Sequence, residues 1–193
     1  MRFKTDTNKI FFTSDNHFHH TNIIEFCNRP WGDIKTHDNA LIQNWNQVVP
    51  SDGIVFCGGD FIWTGNIKEV KSLVEQLNGD IYLTLGNHCY KNKLYRPIFK
   101  SIFKDVRDMY YITILDSELE HNHINFLLCH YPLMFWRSRY VNLHGHVHSG
   151  PNIDAKEKVP FHPMRYDIGI DNNNYKPISY HELKIILTKN YKK

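Results

Sequence analysis

The sequence predicts an α/β fold in which short strands alternate with helices along the chain. The first observation is a series of apolar runs of strand length that are rich in β-branched and aromatic residues. These runs span residues 10–13, 54–57, 81–85, 110–115, 124–129 and 166–170. Several are almost continuously apolar, which is typical of strands covered on both faces. The second observation is that apolar stripes at helical spacing lie between the runs, so a layered α/β structure is expected.

Three segments carry helical patterns. One apolar stripe crosses residues 41–49 and another crosses residues 70–77, each with the spacing of a single helix face. Gly79 follows the second stripe, where a glycine at a helix C-terminus is expected. A serine followed three residues later by a glutamate forms a capping box, which predicts a last helix over residues 179–187.

Length and composition indicate one globular domain over residues 1–193. Hydrophobic residues make up 41% and charged residues 22%, which excludes disordered, collagen-like and membrane-spanning classes. The first residues lack the apolar run of a signal peptide and the four cysteines occur singly, so we expect a cytoplasmic protein with reduced thiols and no membrane segment. A net charge of only +3, without a dense Lys/Arg tract, argues against stable nucleic-acid binding.

Polar residues with metal-binding side chains directly follow the predicted strands. These clusters are Asp15 and His17, Gly59 and Asp60, residues 86–88, and His130. In open α/β sheets, ligands bind at the carboxyl ends of the strands, so the clusters are expected to meet at one edge.

A fifth cluster, residues 145–148, follows the short apolar stretch 140–143. Its two histidines, His146 and His148, stand at i and i+2, and in an extended segment such side chains face opposite sides. Both can serve one centre only if the backbone bends. Gly145 makes such a bend in this segment inexpensive.

Each cluster alone has an ordinary structural explanation. An Asp after a strand is usually a turn former or a helix cap, and a His such as His130 is usually a hydrogen-bonded core or surface residue. A shared site is favoured by the coincidence of five strand-end clusters, with glycines beside three of them.

The candidate ligands are too many for one ion. Two carboxylates, one amide and four imidazoles give seven donors, which suit two ions that share a carboxylate and a water better than one tetrahedral zinc. Ligands of this type suit Mn²⁺, Fe, Zn²⁺ or Ni²⁺ without choosing among them, and Mn²⁺ is our first expectation. Two divalent ions about 3.5–4 Å apart can activate a bridging hydroxide and stabilise in-line displacement at phosphorus. Phosphoryl chemistry is therefore the natural use of such a centre.

The five clusters resemble the pattern DxH, GD, GNH, H and GHxH of the calcineurin-like metallophosphoesterases, in the same chain order. The matching residues are Asp15, Asn16 and His17, Gly59 and Asp60, Gly86, Asn87 and His88, His130, and Gly145, His146, Val147 and His148. The stretches HFHHTNIIEFCNRPW, CHYPLMFW, LHGHVHSG and DIGIDNNNYKPIS also resemble a branch of small, one-domain bacterial and phage phosphoesterases. The resemblance covers nearly the whole chain, and few members of that branch have assigned substrates.

The resemblance implies a four-layer αββα sandwich with two central mixed sheets, in agreement with the alternating pattern of strands and helices. It also implies two metal positions: a first held by Asp15, His17 and His148, and a second held by Asn87, His130 and His146. Asp60 would bridge them. His88 would face the substrate phosphate and either protonate the leaving oxygen or stabilise the transition state, which needs a pKa within reach of neutrality.

The sequence departs from the family pattern at Cys89, where many relatives carry an acidic residue directly after GNH. A hydrogen bond that orients His88 or Asn87 is therefore in doubt at this position. We expect Cys89 to be a small buried thiol rather than a ligand for a soft metal.

Residues beside the first motif also differ from the branch pattern HFGH, because His19 replaces its glycine. We expect His20 to contact the substrate and His19 to narrow the entrance. Arg29 and Arg137 could pair with phosphate, but solvated surface positions are the expectation for both.

The predicted function is hydrolysis of phosphate esters, with phosphodiesters such as nucleotides or cyclic nucleotides ahead of monoesters. The alternative is a protein-binding scaffold of the same fold with weak or no catalysis. A nuclease of the DNA-repair type is disfavoured, because it would need a basic groove and usually further domains. The sequence leaves the oligomeric state open.

Overall fold

Two five-stranded sheets form the centre of the protein, in a computed structural model that describes residues 1–3, 6–91, 99–150 and 159–191. The strands are β1 (Arg2–Phe3), β2 (Ile10–Thr13), β3 (Ile54–Cys57), β4 (Asp80–Thr84), β5 (Asp105–Arg107), β6 (Met109–Leu115), β7 (His123–Cys129), β8 (Val141–His144), β9 (Arg165–Asp167) and β10 (Ile178–Ser179). The helices are α1 (Thr21–Phe26), α2 (Ile34–Val48), α3 (Ile67–Val74), α4 (Asn87–Lys91) and α5 (Tyr180–Tyr191). Single 3₁₀ turns lie at Thr7–Lys9 and Ile170–Asn172.

Both sheets are mixed. Sheet 1 has the order β10-β2-β3-β4-β5, in which only the edge strand β10 runs antiparallel. Sheet 2 has the order β1-β6-β7-β8-β9, with one antiparallel pair, β6 and β7. Two mixed sheets flanked by helices confirm the predicted fold class.

The alternation of side chains along β2 explains the layers. Phe11 points into a core shared with α2 and α3, whereas Ile10 and Phe12 point into a second core shared with the strands of sheet 2 and with α5. The ring of Phe12 lies 5.2 Å from that of Phe126 in β7, across the two sheets. Sheet 1 is therefore covered on both faces, as its continuous apolar runs predict.

The predicted capping box is confirmed at the start of α5. The backbone N–H of Ser179 donates to the Glu182 carboxylate at 2.9 Å, and the N–H of Glu182 donates to the Ser179 hydroxyl at 3.2 Å.

The prediction that Gly79 ends a helix is wrong. Helix α3 ends at Val74, and Gly79 immediately precedes β4 with a φ of +88°. No helix among the described residues has the length and apolar character that a membrane span needs.

The fold brings the ends of five strands together. The N–H of Asp15, after β2, donates to the carbonyl of Gly59, after β3, at 3.0 Å. After β7 and β8, the N–H of Gly145 donates to the carbonyl of His130 at 3.0 Å. The N–H of His146 then donates to the Asp15 carboxylate at 3.0 Å, which links sheet 2 to sheet 1. The predicted site residues thus lie where the two sheets meet.

Candidate metal centre

Six of the seven predicted ligands converge in two groups of three. In the first group, the Oδ1 atom of Asp15 lies 4.0 Å from His17 Nε2 and 3.8 Å from His148 Nε2. In the second, the Oδ1 atom of Asn87 lies 2.8 Å from His130 Nε2 and 3.0 Å from His146 Nδ1. Each group gathers one side-chain oxygen and two imidazole nitrogens around one point.

Asp60 lies between the groups. Its Oδ2 atom is 3.8 Å from His17 Nε2 and 3.4 Å from His130 Nε2, so it faces one histidine of each group. Its Oδ1 atom accepts a hydrogen bond from the backbone N–H of His88 at 2.9 Å. Burial alone would raise the pKa of Asp60, but hydrogen bonding and charge from His130 hold that pKa below its usual value. The carboxylate is therefore in the form that binds cations.

The donors fit a bound cation. Asp15 Oδ1 and His17 Nε2 are fully buried and have no hydrogen-bond partner among the described residues. Such buried polar atoms are strongly unfavourable unless something compensates them. Burial holds the pKa of His17 well below its usual value, so its ring is neutral and its nitrogen can donate a lone pair. A divalent ion would satisfy both atoms.

Backbone strain is concentrated in the same place. Five of the seven predicted ligands have a left-handed backbone, with φ of +56° at Asp15, +51° at His17, +47° at Asp60, +70° at His146 and +47° at His148. Non-glycine residues seldom adopt this conformation, and clusters of them mark functional sites. The bend that turns His146 and His148 toward one centre lies at these histidines themselves. The predicted bend in this segment is therefore present, although Gly145 itself does not have a positive φ.

The glycines of the motifs are needed for space. A Cβ at Gly86 would overlap with the Asp60 carboxylate, and a Cβ at Gly145 would overlap with the Asp15 carboxylate and the Ser14 hydroxyl. A Cβ at Gly59, where φ is +109°, would come within 2.8 Å of His130 Nδ1. These three glycines let the backbone approach the buried ligands closely.

Comparison with known proteins identifies a family over most of the chain. A family model described as calcineurin-like phosphoesterase matches residues 8–183. The chain belongs to the calcineurin-like phosphoesterase family. Membership implies metal-dependent hydrolysis of phosphate esters and a pair of divalent ions, for which the convergent Asp and His groups are the candidate ligands.

Relatives of this calcineurin-like phosphoesterase come from archaea and phages. An uncharacterized protein, MJ1445, from Methanocaldococcus jannaschii is 33% identical over 177 residues, covering 89% of this chain and 86% of the relative. The gene 66 protein of Mycobacterium phage L5 is 29% identical over 183 residues, covering 83% and 86%. The crystal structure of a protein of unknown function, AQ665 from Aquifex aeolicus, superposes with a TM-score of 0.65 at 25% identity, covering 92% of this chain and 98% of that one.

His88 and His20 lie beside the two donor groups, next to Asp60 and His17 respectively. His88 Nε2 is 3.8 Å from Asp60 Oδ2, and its side chain is 24% exposed. His20 is buried, with its Nδ1 atom 3.0 Å from His17 Nδ1 and its ring stacked on Trp63 at 4.4 Å. Burial and the nearby His88 lower the pKa of His20 to about 4, so its ring is neutral. Contact between His20 and substrate stays a prediction.

Two of the departures from the family pattern have clear structural outcomes. Cys89 is a buried thiol, as expected, and burial raises its pKa to about 11, which disfavours the thiolate that binds metals. The N–H of His19 donates to the Asp38 carboxylate at 3.1 Å, and its half-buried ring lies between Asp38 and Glu69. Its predicted effect on the entrance stays a prediction.

The expectation for Arg29 is wrong. Its side chain is fully buried and binds Asp171 through two hydrogen bonds of 2.8 and 2.9 Å. Asp171 in turn accepts from His148 Nδ1 at 2.8 Å, and sequence reasoning missed it. Burial works against a charged His148, but hydrogen bonding to Asp171 and Cys27 and the charge of Asp15 raise its pKa to about 11. The carboxylates around this ring therefore favour a positive charge at this place. A bound cation would supply that charge instead of the protonated ring.

The predicted surface position of Arg137 is confirmed, since this residue is exposed.

Replacing Gly145 with alanine tests the packing of the site. We expect Gly145→Ala to lower the free energy of unfolding of the metal-free protein by about 1–3 kcal/mol, because the new methyl group overlaps with buried atoms. It should also reduce the bound Mn²⁺, measured by atomic absorption after dialysis. Gly32→Ala is the matched control, since nothing lies within 4 Å of a Cβ there. Wild-type Mn²⁺ content in Gly145→Ala would contradict the close approach.

Proposed function

We propose that this protein is a two-metal phosphodiesterase whose substrates are of the nucleotide or cyclic nucleotide type. The observation that supports it most is that two buried atoms of the first donor group, Asp15 Oδ1 and His17 Nε2, have no hydrogen-bond partner among the described residues. The seven proposed metal ligands are those of the sequence prediction: Asp15, His17, Asp60, Asn87, His130, His146 and His148.

The contacts support a division of these ligands between two positions. Asp15, His17 and His148 would hold one divalent ion, Asn87, His130 and His146 would hold the other, and Asp60 would be shared. The Nδ1 atom of His130 lies 3.0 Å from the Gly58 carbonyl, to which it can only donate, so Nε2 is left as the donor toward the metal. Oxygen and nitrogen ligands without a thiolate support Mn²⁺ as the first choice, with Fe, Zn²⁺ and Ni²⁺ as alternatives.

Two bound ions would supply an activated water and offset the negative charge of the phosphate oxygens. The protein itself would supply the proton for the leaving group. His88 is placed for this role, because its backbone N–H binds Asp60 while its partly exposed ring packs 4.8 Å from the Trp63 ring. We therefore assign His88 as the catalytic residue that protonates the leaving oxygen.

Aromatic rings beside the metal ligands support a substrate with a nucleobase. Tyr131 is 48% exposed and its ring lies 4.6 Å from that of His146. Trp63 is partly exposed and packs against the rings of His20 and His88. Exposed aromatic faces next to a phosphate site can stack on a base, an interaction that tolerates any base.

The domain organisation, the location and the binding partners of the protein stay predictions. We propose that residues 1–193 form a single phosphoesterase domain, consistent with the family match over residues 8–183. The cytoplasmic location, the weak affinity for nucleic acid and the scaffold alternative stay predictions. The assay below separates the enzyme from the scaffold.

The main test is hydrolysis of bis-p-nitrophenyl phosphate by Mn²⁺-loaded protein, compared with p-nitrophenyl phosphate. For a diesterase we expect kcat/KM to be at least about tenfold higher for the diester, a difference of roughly 1.4 kcal/mol in transition-state stabilisation. Metal-free protein is the control and should be inactive. A faster monoester reaction would overturn the diester preference, and no hydrolysis of either ester would favour the scaffold.

A second test addresses the proposed acid. We expect His88→Asn to slow hydrolysis of substrates with poor leaving groups, such as nucleoside esters, by about 100-fold or more, because general acid catalysis typically contributes that much. The p-nitrophenyl ester should be slowed far less, since its leaving group needs little protonation. Bound Mn²⁺ should be unchanged. Equal losses on both substrates would remove the leaving-group role from His88.

A further inference from the structure

Arg29 lies three residues after the end of α1, and all of its hydrogen-bonding capacity is used inside the protein. A guanidinium has five N–H donors and no acceptor. Here Nε and Nη2 bind the two oxygens of Asp171, Nη2 also binds the Asp15 carbonyl, and Nη1 binds the Asn16 carbonyl and His37 Nε2. These five contacts measure 2.8–2.9 Å, so this buried cation has a complete set of partners.

Each contact on one side of Arg29 leads to the same donor group. The carbonyls of Asp15 and Asn16 belong to the loop that carries Asp15 and His17, whose left-handed backbone is strained. Asp171, the third partner, accepts from His148 Nδ1 at 2.8 Å. Arg29 therefore reaches two ligands of the first proposed metal position through their backbone loop and the third through Asp171.

The second donor group is held by different contacts. His130 binds the Gly58 carbonyl, and the Asn87 oxygen lies between the His130 and His146 rings. None of the five Arg29 contacts involves Asn87, His130 or His146. The two proposed metal positions thus differ in what orients their ligands.

Arg29 also contacts His37 in α2, through its Nη1 atom. Because the guanidinium can only donate, His37 Nε2 must accept, and the proton of the neutral ring then lies on Nδ1. That nitrogen is 2.8 Å from Asp38 Oδ1, and the Asp38 carboxylate also accepts from the N–H of His19. The network runs from α2 through Arg29 to His148 and fixes the guanidinium from both sides.

We propose that Arg29 is a positioning residue for one of the two metal positions, the one formed by Asp15, His17 and His148, and that it acts through Asp171. The inference rests on the proposed two-metal function. Arg29 does not contact substrate in this role. It fixes the strained loop and the orientation of the His148 ring, so that their donor atoms point at one place before the ion arrives.

The test is a titration of metal-free protein with Mn²⁺, followed by calorimetry and by electron paramagnetic resonance. Asp171→Asn keeps the shape of the side chain but presents an NH₂ group where Arg29 or His148 also donates. Arg29→Lys keeps the charge but cannot serve five acceptors. For both variants we expect one Mn²⁺ dissociation constant to rise about 10- to 100-fold, as for other residues that orient metal ligands, with the second unchanged.

Asp116→Asn is the matched control. Asp116 is a buried carboxylate that accepts from the Tyr180 hydroxyl at 2.6 Å and from Lys184 Nζ at 2.9 Å, away from the metal ligands. Its loss should lower stability without changing either Mn²⁺ dissociation constant. Cooperative thermal unfolding of all three variants would establish that each is folded.

The possible outcomes separate the two proposals. Wild-type protein that binds no pair of Mn²⁺ ions would overturn the proposed function and this inference with it. Wild-type protein that binds two ions, with Asp171→Asn binding both as tightly, would overturn the inference alone. Equal weakening of both sites in Asp171→Asn would also overturn it, because Arg29 would then support the fold in general. Selective weakening of one of the two Mn²⁺ sites in both Asp171→Asn and Arg29→Lys supports the inference.

Discussion

The buried carboxylates of Asp15 and Asp60 impose the central physical constraint on this structure. Both are almost inaccessible to solvent, and Asp15 Oδ1 has no hydrogen-bond partner among the described residues. Burying a carboxylate without compensation is strongly unfavourable, so these groups need positive charge close by. The imidazoles around them, the left-handed backbone and the glycines without room for a Cβ all serve to complete this one site.

The two sheets place this site at the ends of their strands, beside the two hydrophobic cores. Sheet 1 contributes the loops after β2, β3 and β4, and sheet 2 contributes those after β7 and β8, so neither sheet holds a complete donor group alone. The strained loops are held by contacts on both sides, including the hydrogen bond from the His146 N–H to the Asp15 carboxylate. Strain of this kind persists only where surrounding structure determines the conformation.

Local patterns made much of this predictable. The strand-end positions of Asp15, Asp60, Asn87 and His130 follow from apolar runs and motif spacing, and the capping box of α5 follows from two residues. The burial of Arg29 does not follow from local patterns, because its partner Asp171 is 142 positions away in the sequence. Likewise, a glycine in a motif shows only that space or flexibility is needed. At Gly145 the need is space, and the bend falls on the histidines beside it.

The central claim is that the two donor groups hold a pair of metal ions with Asp60 between them. The most direct measurement is a crystal structure of Mn²⁺-soaked protein with anomalous scattering data collected near the manganese absorption edge. We expect two peaks about 3.5–4 Å apart, one beside Asp15, His17 and His148 and the other beside Asn87, His130 and His146. A single peak at saturating Mn²⁺, or peaks that Asp60 does not bridge, would contradict the two-metal centre.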